Sequence, residues 1–407
     1  MKKNILYLCH RIPYPPNKGD KIRSFNEIKY LAENNTIDLI SFADDPEDLK
    51  YMENLKMYCR QVMIFPLNKV YAKIKGFSSL LTGKSISQGY FYQNKFQNIV
   101  NRWIDSEEYD FVICFSSPMA EYIFKGDVLK KDSLSVKLIM DFCDLDSDKW
   151  LQYSKRTLFP LNCLYKKEAS RLLKFEKKIN NKFNQSIFIS KQEAGLFRQY
   201  YPEAANLHVI PNGVDYEYFS FQKKISNSFP TPMLMFSGAM DYYANIDGVV
   251  WFAKKIFPEI KKIIPDVKFY IVGNNPDKNV KDLEKDSSII VTGFVKDIRE
   301  YYQAADICVI PLRIARGIQN KVLEAMSSSK PVVTTSITIQ GINALPQRDL
   351  MVAESVLEFA QTVINLLEDP ERMRKLGNSA RKFVKENHDW KENLKLLNSQ
   401  MNKLKVS

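Results

Sequence analysis

The sequence predicts an α/β protein built from two doubly wound parallel sheets. Short apolar runs alternate with amphipathic stretches along the whole chain, which is typical of parallel strands joined by helical crossovers. The apolar runs exceed what one such sheet usually holds, so two domains are favoured. The expected strands are Ile5–Cys9, Thr36–Phe42, Gln61–Pro66, Asp110–Phe115, Lys137–Phe142, Gln185–Ile189, Leu207–Ile210, Met233–Phe236, Val267–Val272, Ile289–Thr292, Ile307–Pro311 and Pro331–Thr335.

A turn-rich segment marks the division between the two domains. Pro211–Asp215 carries turn residues, and Lys223–Pro232 is polar and contains no strand pattern. We expect an N-terminal domain over residues 1–217 and a C-terminal domain over residues 218–388. Residues 389–407 are expected to form a helix that packs back on the first domain.

Composition excludes a disordered or membrane-spanning chain. Of 407 residues, 45% are hydrophobic, and the net charge is +12 from 59 basic and 47 acidic residues. No apolar run approaches the roughly 20 residues of a membrane span, and the first run is too short for a signal peptide. We therefore expect a cytoplasmic protein whose cysteines are reduced and buried. They are Cys9, Cys59, Cys114, Cys143, Cys163 and Cys308.

The positive charge is concentrated in residues 149–182. This segment contains ten basic residues and only two acidic ones, Glu168 and Glu176. Four of the basic residues recur at helical spacing: Lys167, Arg171, Lys174 and Lys178. They flank an apolar stripe that is expected to face the core: Leu161, Leu164, Leu172, Phe175 and Ile179. One interpretation is a core-facing helix with a solvated basic side. The other is peripheral contact with anionic lipid at the inner face of the plasma membrane. Nucleic acid is not an expected partner, because aromatic residues are not interleaved with the basic ones.

The loop after the first strand has the composition of an anion site. Arg11–Arg23 contains three prolines, Gly19 permits close backbone approach, and a helix is expected to open near Asp20. Three cations lie around this helix start: Lys18, Lys21 and Arg23. His10 ends the strand, where it contacts substrate or makes a local structural hydrogen bond. A plain rigid loop is the alternative for the whole segment.

Pro311–Met326 predicts a second anion site. A strand ends at Pro311, Gly317 loosens the turn, and a helix is expected to open at about Ile318, so its free N–H groups suit a diphosphate. Lys321 and Glu324 share one helix face, where Glu324 is able to accept hydrogen bonds from a vicinal diol; a simple helical ion pair is the alternative. The other residues assigned to donor binding or phosphate neutralisation here are Arg313, Arg316, Gly317, Ile318, Gln319 and Asn320.

Two shorter segments complete the predicted donor site. Thr292–Val295 follows a strand, and its Gly293, Phe294 and Val295 are expected beside a nucleotide base. Gly238 lies in the small-residue segment that follows the first strand of the second domain.

The acidic loop Asp141–Asp148 leaves three interpretations open. Asp144, Asp146 and Asp148 mimic the start of a calcium loop, but Lys149 stands where that loop needs glycine. The other interpretations are a catalytic or acceptor-orienting carboxylate and a helix cap. With only three histidines, no histidine-rich metal site is expected, and no glycine fingerprint for NAD, FAD or a P-loop is present.

The chain resembles the retaining GT-B glycosyltransferases of family four over nearly its whole length. The resemblance is carried by five segments: Pro15–Gly19, Val209–Asp215, Thr292–Asp297, Leu323–Met326 and Lys330–Val333. Tyr7–Phe25, Asp144–Trp150 and Asn320–Met326 further resemble a subgroup that accompanies exosortase-linked exopolysaccharide loci.

The resemblance implies two Rossmann-like domains facing across a cleft, with the acceptor on the first and a nucleoside-diphosphate sugar on the second. It assigns Glu324 to the ribose, Gly293 to Val295 to the base, and Gly19 to the donor phosphates and acceptor. It further implies transfer with retention to a saccharide or polyprenyl-linked acceptor, without a metal or other cofactor.

Three departures from the family pattern affect the site. Arg316 replaces the usual first glutamate, and Gly238–Tyr243 lacks the usual arginine and lysine, so Arg313, Arg316 and Lys321 are expected to neutralise the phosphates. No histidine matches the one near the transferred sugar, and Asp144 or Asp146 is expected there instead. The alternatives are a nucleotide-sugar epimerase of GT-B fold and a non-catalytic basic protein on membrane or nucleic acid.

Overall fold

The computed structural model of the chain consists of two units. Unit 1 comprises Met1–Pro211 with Leu394–Ser407, and unit 2 comprises Asn212–Asn393. The structure describes residues 2–126, 128, 136–220, 229–315 and 317–404.

Unit 1 is built on a parallel sheet of seven strands in the order β3-β2-β1-β4-β5-β6-β7. The strands are Asn4–Cys9 (β1), Thr36–Ala43 (β2), Gln61–Pro66 (β3), Phe111–Phe115 (β4), Lys137–Cys143 (β5), Gln185–Phe188 (β6) and Leu207–Val209 (β7). Their continuous apolar runs reflect burial on both faces, as in β4, where all five residues are buried. The order reverses between β1 and β4, which makes their carboxyl ends the expected ligand edge.

The helices of unit 1 lie between these strands. They are Gly19–Ala32 (α1), Met52–Lys56 (α2), Lys69–Ser79 (α3), Ile86–Tyr90 (α4), Asn94–Ser106 (α5), Ala120–Lys125 (α6), Asp146–Arg156 (α7), Leu161–Lys182 (α8) and Lys191–Tyr200 (α9). Short 3-10 turns occur at Pro46–Tyr51, Leu80–Thr82 and Ser117–Met119.

Unit 2 has a six-stranded parallel sheet in the order β10-β9-β8-β11-β12-β13. Its strands are Met233–Ser237 (β8), Lys268–Val272 (β9), Ile289–Gly293 (β10), Ile307–Ile310 (β11), Val332–Thr334 (β12) and Met351–Val352 (β13). Here the order reverses between β8 and β11. All twelve expected strands are therefore present. The sheet also contains β13, which was not predicted because its two residues are too few to show a strand pattern.

The helices of unit 2 follow the same alternation. They are Tyr216–Phe219 (α10), Tyr243–Trp251 (α11), Phe257–Ile263 (α12), Lys278–Lys281 (α13), Arg299–Ala304 (α14), Asn320–Ser327 (α15), Val356–Leu367 (α16) and Pro370–Asn387 (α17), followed by the start of Trp390–Lys403 (α18). A π-helical segment, Phe252–Ile256, joins α11 to α12, and 3-10 turns occur at Asp282–Lys285 and Ser336–Ile339.

The last helix passes from one unit to the other. Helix α18 begins in unit 2, and its residues from Leu394 onward belong to unit 1. There the Lys3 ammonium donates to the Asn402 side-chain oxygen at 2.7 Å, and the Gln185 amide donates to the Gln400 carbonyl at 2.9 Å. These bonds attach the end of the chain to the first sheet.

Two expectations about burial are wrong. Cys163 is exposed, although all six cysteines are free thiols as expected. Leu161, placed on the apolar stripe of the basic helix, is 48% exposed because it is the first residue of α8, beyond the part of the helix that packs on the core. None of the described helices is long and apolar enough to cross a membrane.

Candidate functional site

The loop after β8 brings backbone close to side chains from two helices. Gly238 has a φ of +155°, and a Cβ added there would lie 2.7 Å from Asn245 Nδ2 and 2.9 Å from Lys321 Nζ. A Cβ on Gly273 would lie only 1.6 Å from the Gly238 carbonyl oxygen. Glycine at both positions therefore permits the approach of this loop to β9 and to α15.

Lys321 points to this loop. Its ammonium donates to the Asn245 side-chain oxygen at 2.5 Å and lies 4.4 Å from the centre of the Phe236 ring. Asn245 in turn donates to the Ala239 carbonyl at 2.8 Å, which fixes the orientation of the amide. Burial lowers the pKa of Lys321 to about 7, although the charge of Glu324 partly opposes this shift.

Glu324 lies one turn further along the same helix. The Tyr302 hydroxyl donates to Glu324 Oε2 at 2.9 Å, and the Ser237 and Tyr302 hydroxyl oxygens are 2.6 Å apart. Burial raises the pKa of Glu324, while the hydrogen bond from Tyr302 and the charge of Lys321 partly offset that rise. Lys321 donates to an amide and Glu324 accepts from a phenol, so each side chain has a bonding partner outside α15.

The N-terminus of α15 has no side-chain cap. The helix opens at Asn320, two residues after the predicted start, and its N-cap residue Gln319 makes no capping hydrogen bond. Asn320 Oδ1 is buried without a hydrogen-bond partner among the described residues. Free N–H groups at a helix start, with a lysine in its first turn, form an arrangement that binds anions.

The remaining residues of this loop have different surroundings. Gly317 has a φ of +60°, which favours glycine, and Ile318 is buried. The Arg313 guanidinium is already paired with Asp247, at 2.5 and 2.9 Å, and lies over the Trp251 ring. Arg313 is therefore held by a carboxylate, and its assignment to phosphate neutralisation stays a prediction. Arg316 lies outside the described residues.

The segment expected beside a base is also at the carboxyl edge of this sheet. Gly293 ends β10 with a φ of +66°, and the Phe294 ring that follows is 79% exposed. Val295 is half-buried. An exposed ring at a strand end is available for stacking on a planar ligand.

In unit 1, His10 and the start of α1 form a charged cluster. His10 Nε2 lies 3.2 Å from Asp20 Oδ2, and the Arg11 guanidinium donates to the same oxygen at 2.7 Å. Burial raises the pKa of Asp20, but the His10 hydrogen bond and the Arg11 charge hold that pKa well below its usual range. Arg11 also approaches Asp44 at 3.3 Å, and His10 Nδ1 has no hydrogen-bond partner among the described residues.

The cations expected around this helix start separate into two groups. Lys18 and Gly19 are exposed, and Lys18 gives α1 no side-chain cap. Arg23, in contrast, is 1% exposed: it donates to Asp141 at 2.7 Å and to the Ile210 carbonyl at 2.8 Å. Lys21 is buried against Asp48. The expectation that Arg23 binds phosphate is wrong, because its guanidinium is enclosed in the interior and already bonded to protein groups.

The acidic loop is tied to helix ends. Asp146 is the first residue of α7, and Asp148 accepts a hydrogen bond from the Tyr200 hydroxyl at 2.7 Å. Asp144 lies between β5 and α7 and is half-buried. Among the described residues, no three His, Cys, Asp or Glu side chains are grouped so that they could hold a metal ion. The catalytic assignment of Asp144 and Asp146 stays a prediction.

Three site residues were not predicted from the sequence: Tyr302, Ser237 and Asn245. They lie far from Glu324 along the chain, and no recognisable motif surrounds them. Asn245 alone was within reach of sequence reasoning, because it follows Gly238 by seven residues at the start of the next helix. The pairing of Arg313 with Asp247 bridges 66 positions, so it needed the structure.

Part of unit 2 is similar to a known family. Residues 231–369 match the family model described as Glycosyl transferases group 1. Over the whole chain, the similar proteins include a 44.6 kDa protein in the cps region of Klebsiella pneumoniae. It is 24% identical over 405 residues, which cover 95% of this chain and 97% of the relative.

Solved structures show the same fold over both units. Sucrose-phosphate synthase from Thermosynechococcus elongatus matches with a TM-score of 0.74 and 17% identity, covering 99% of each chain. Anabaena HepE in complex with UDP-glucose matches with a TM-score of 0.69 and 14% identity, covering 98% of this chain and 100% of HepE. The predicted GT-B fold class is thereby confirmed.

Proposed function

We propose that the chain is a glycosyltransferase that moves a sugar from a nucleoside diphosphate to a saccharide or polyprenyl-linked acceptor. The observation that carries the proposal is the placement of Lys321 and Glu324 beside the Gly238 loop and the uncapped start of α15. This constellation lies within the segment that matches the group 1 glycosyltransferases. It also lies at the carboxyl edge where the strand order of the sheet reverses, which is where open α/β sheets bind ligands.

Each part of the constellation suits one part of a nucleotide sugar. The ammonium of Lys321 and the first N–H groups of α15 offer positive charge to a diphosphate. The Glu324 carboxylate, held by Tyr302, accepts from the two hydroxyls of a ribose. Phe294, exposed after β10, offers a stacking surface to the base. HepE, of similar fold, was solved with UDP-glucose, which supports a nucleoside-diphosphate donor.

The chemistry that these groups support is departure of the diphosphate. Negative charge develops on it as the glycosidic bond lengthens, and fixed donors that await that charge lower the barrier. We propose that the acceptor hydroxyl attacks with retention and without a metal ion, as in family four. The acceptor is assigned to unit 1, where Lys18, Gly19, His10 and Asp20 lie around the start of α1. The cps-region relative supports a role in polysaccharide biosynthesis.

Nucleotide binding by the purified full-length chain tests the proposal. Titration calorimetry with UDP, GDP and ADP should find one that binds, and Glu324→Gln should weaken that binding at least about tenfold because a neutral amide is a poorer acceptor for two hydroxyls. Glu371→Gln, on the outer face of α17, is the matched control and should bind as the wild type does. A chelator should leave binding unchanged.

Three results would contradict parts of this proposal. Absence of binding to every nucleoside diphosphate would remove the donor site. Binding that a chelator abolishes would restore the metal interpretation of Asp144 and Asp146. Steady turnover of the nucleotide sugar into its epimer with no acceptor present would identify the epimerase instead.

A further inference from the structure

Helix α3 of unit 1 exposes its large apolar side chains and buries its small ones. The buried side consists of Ala72, Gly76 and Ser79. The exposed side carries five large apolar residues, with exposed fractions from 51% for Phe77 to 90% for Leu81. They are Val70, Tyr71, Ile74, Phe77 and, just beyond the helix, Leu81. A surface helix of a soluble protein ordinarily has the opposite arrangement.

Tight packing against α4 fixes this orientation. A Cβ added to Gly76 would lie 2.9 Å from Ile86 Cγ2, and one added to Gly89 would lie 2.7 Å from the Ser79 Cβ. The two helices therefore approach each other through small residues, and no room exists between them for a side chain the size of Ile74. The helix cannot rotate to bury its apolar side without separating from α4.

The exposed residues form one continuous stripe. Val70, Ile74, Phe77 and Leu81 are separated by four, three and four residues, which places them one above the other on a helix surface. Single exposed apolar residues are common, but a stripe of this length marks an interaction surface. We call Val70, Tyr71, Ile74, Phe77 and Leu81 the α3 stripe.

The charge beside the α3 stripe has one sign. Lys69 and Lys73 lie on the same helix and are exposed. The segment 54–104, which contains α3, α4 and most of α5, has no aspartate or glutamate. The partner of this surface is therefore expected to be apolar and to carry negative charge at its rim.

The basic helix α8 is bonded to the same substructure. Arg171 donates to the carbonyls of Leu80 and Lys84 at 2.8 and 2.9 Å, immediately beside Leu81. Glu168 accepts from the backbone N–H of Ile86 at 2.5 Å, at the start of α4. Arg171 and Glu168 of α8 therefore bond to the backbone beside α3 and at the start of α4, which holds the three helices together.

The outer side of α8 adds only positive charge. Its two carboxylates, Glu168 and Glu176, are 0% exposed. Its exposed charged side chains are Lys166, Lys167, Lys174, Lys178 and Lys182. Leu158 and Phe159, in the turn before α8, are also exposed, as large apolar residues beside a basic helix.

We propose that the α3 stripe docks unit 1 on an anionic lipid bilayer. The apolar side chains enter the interface between headgroups and acyl chains, while Lys69 and Lys73 contact the anionic headgroups. A bilayer accepts a protruding apolar stripe of any outline, so no complementary protein surface is needed. The docking does not depend on the donor site in unit 2, and the two proposals fail separately.

Sedimentation with vesicles tests the proposal on the full-length chain. Vesicles of phosphatidylglycerol mixed with phosphatidylcholine should bind the wild type at least about tenfold more tightly than phosphatidylcholine alone, and salt should weaken that binding. Ile74→Ser/Phe77→Ser should lower the affinity at least about tenfold, because two large apolar side chains no longer leave water. Lys69→Glu/Lys73→Glu should lower it at least as much on the anionic vesicles only.

The matched control is Leu357→Ser on α16 of unit 2. This variant also removes an exposed apolar side chain, 72% exposed, but at a site outside the α3 stripe. It should bind vesicles as the wild type does. All variants should keep the thermal transition and nucleoside diphosphate affinity of the wild type, since the altered side chains are exposed. Equal vesicle binding by Ile74→Ser/Phe77→Ser and wild type would overturn the proposal. A wild-type dimer that this variant dissociates, without vesicle binding, would overturn it in favour of self-association.

Discussion

Arg23 in unit 1 and Lys321 in unit 2 are cations at similar positions in the fold, but their bonding partners differ. Each lies near the start of a helix that follows a strand of its sheet, and each was expected to meet a phosphate. Arg23 is bonded to Asp141 from β5, and its Nε lies 3.0 Å from Glu27. Burial lowers the pKa of Arg23, but the two carboxylates raise it by more. Lys321 contacts a neutral amide, so burial dominates and its pKa falls to about 7.

The comparison teaches that the partner, not the position, decides what a cation beside a strand end does. Two buried carboxylates make Arg23 a structural centre that joins α1 to β5. The amide of Asn245 orients Lys321 without neutralising it, so its positive charge is available to a ligand. An anion site requires a cation that is fixed in place but not neutralised by a carboxylate.

The largest expected effect is on stability, from Arg23→Leu. Removing the guanidinium leaves Asp141 and Glu27 buried beside each other without a counter-charge, which costs about 3–5 kcal/mol. Urea unfolding followed by circular dichroism should show this loss. Arg102→Leu, at an exposed position of α5, should change the free energy of unfolding by less than about 0.5 kcal/mol. A stable Arg23→Leu protein would mean that the buried network contributes little.

The second effect is on catalysis, from Lys321→Met. Loss of one fixed cation beside the departing diphosphate should reduce the transfer rate about a hundredfold, which corresponds to about 3 kcal/mol of barrier. The thermal transition should change little, because a partly buried charge is removed and Glu324 keeps the hydrogen bond from the Tyr302 hydroxyl. Arg313→Met is the matched variant in the same loop, and since Asp247 already pairs with Arg313, its rate should stay within about threefold of wild type. Equal losses in both variants would contradict the different roles of Lys321 and Arg313.

The smallest effect is a pH dependence of nucleotide binding. The folded chain without ligand loses the Lys321 proton as pH rises through about 7, whereas diphosphate binding favours the ammonium. Affinity for the nucleoside diphosphate should therefore fall about tenfold between about pH 6 and about pH 8.5. Calorimetry across this range should show the decline in the wild type and a flat profile in Lys321→Met. A decline that persists in the variant would assign the titration to another group.

The strands were predictable because their apolar runs are local. Burial on both faces favours apolar residues along a central strand, and such runs are visible in sequence. Strand β13 was missed because it has two residues, and the start of α15 was placed two residues early because an uncapped helix leaves no capping signal. Leu161 was assigned to the core because helical spacing continues to the first residue of α8, while its contact with the core does not.

The candidate site was predictable in part. Lys321 and Glu324 were recognised because a spacing of three residues on a helix places both on one face. Asn245, Tyr302 and Ser237 were not, since the hydrogen bonds that connect them to Lys321 and Glu324, directly or through Tyr302, cross 22 to 76 positions of the chain. The exposed α3 stripe was also hidden, because the same amphipathic pattern predicts a buried face until the packing of Gly76 on α4 is known.

By itself the sequence determined the two-sheet architecture, the order of strands and helices, and the helix face that carries Lys321 and Glu324. These features depend on periodicity and spacing, which are properties of neighbouring residues. Only the tertiary structure decided that Arg23 is enclosed by carboxylates, that Arg313 is paired, and that Lys321 faces an amide. The physical reason is that the energy of a charge depends on the groups brought around it, and the fold takes those groups from distant parts of the chain.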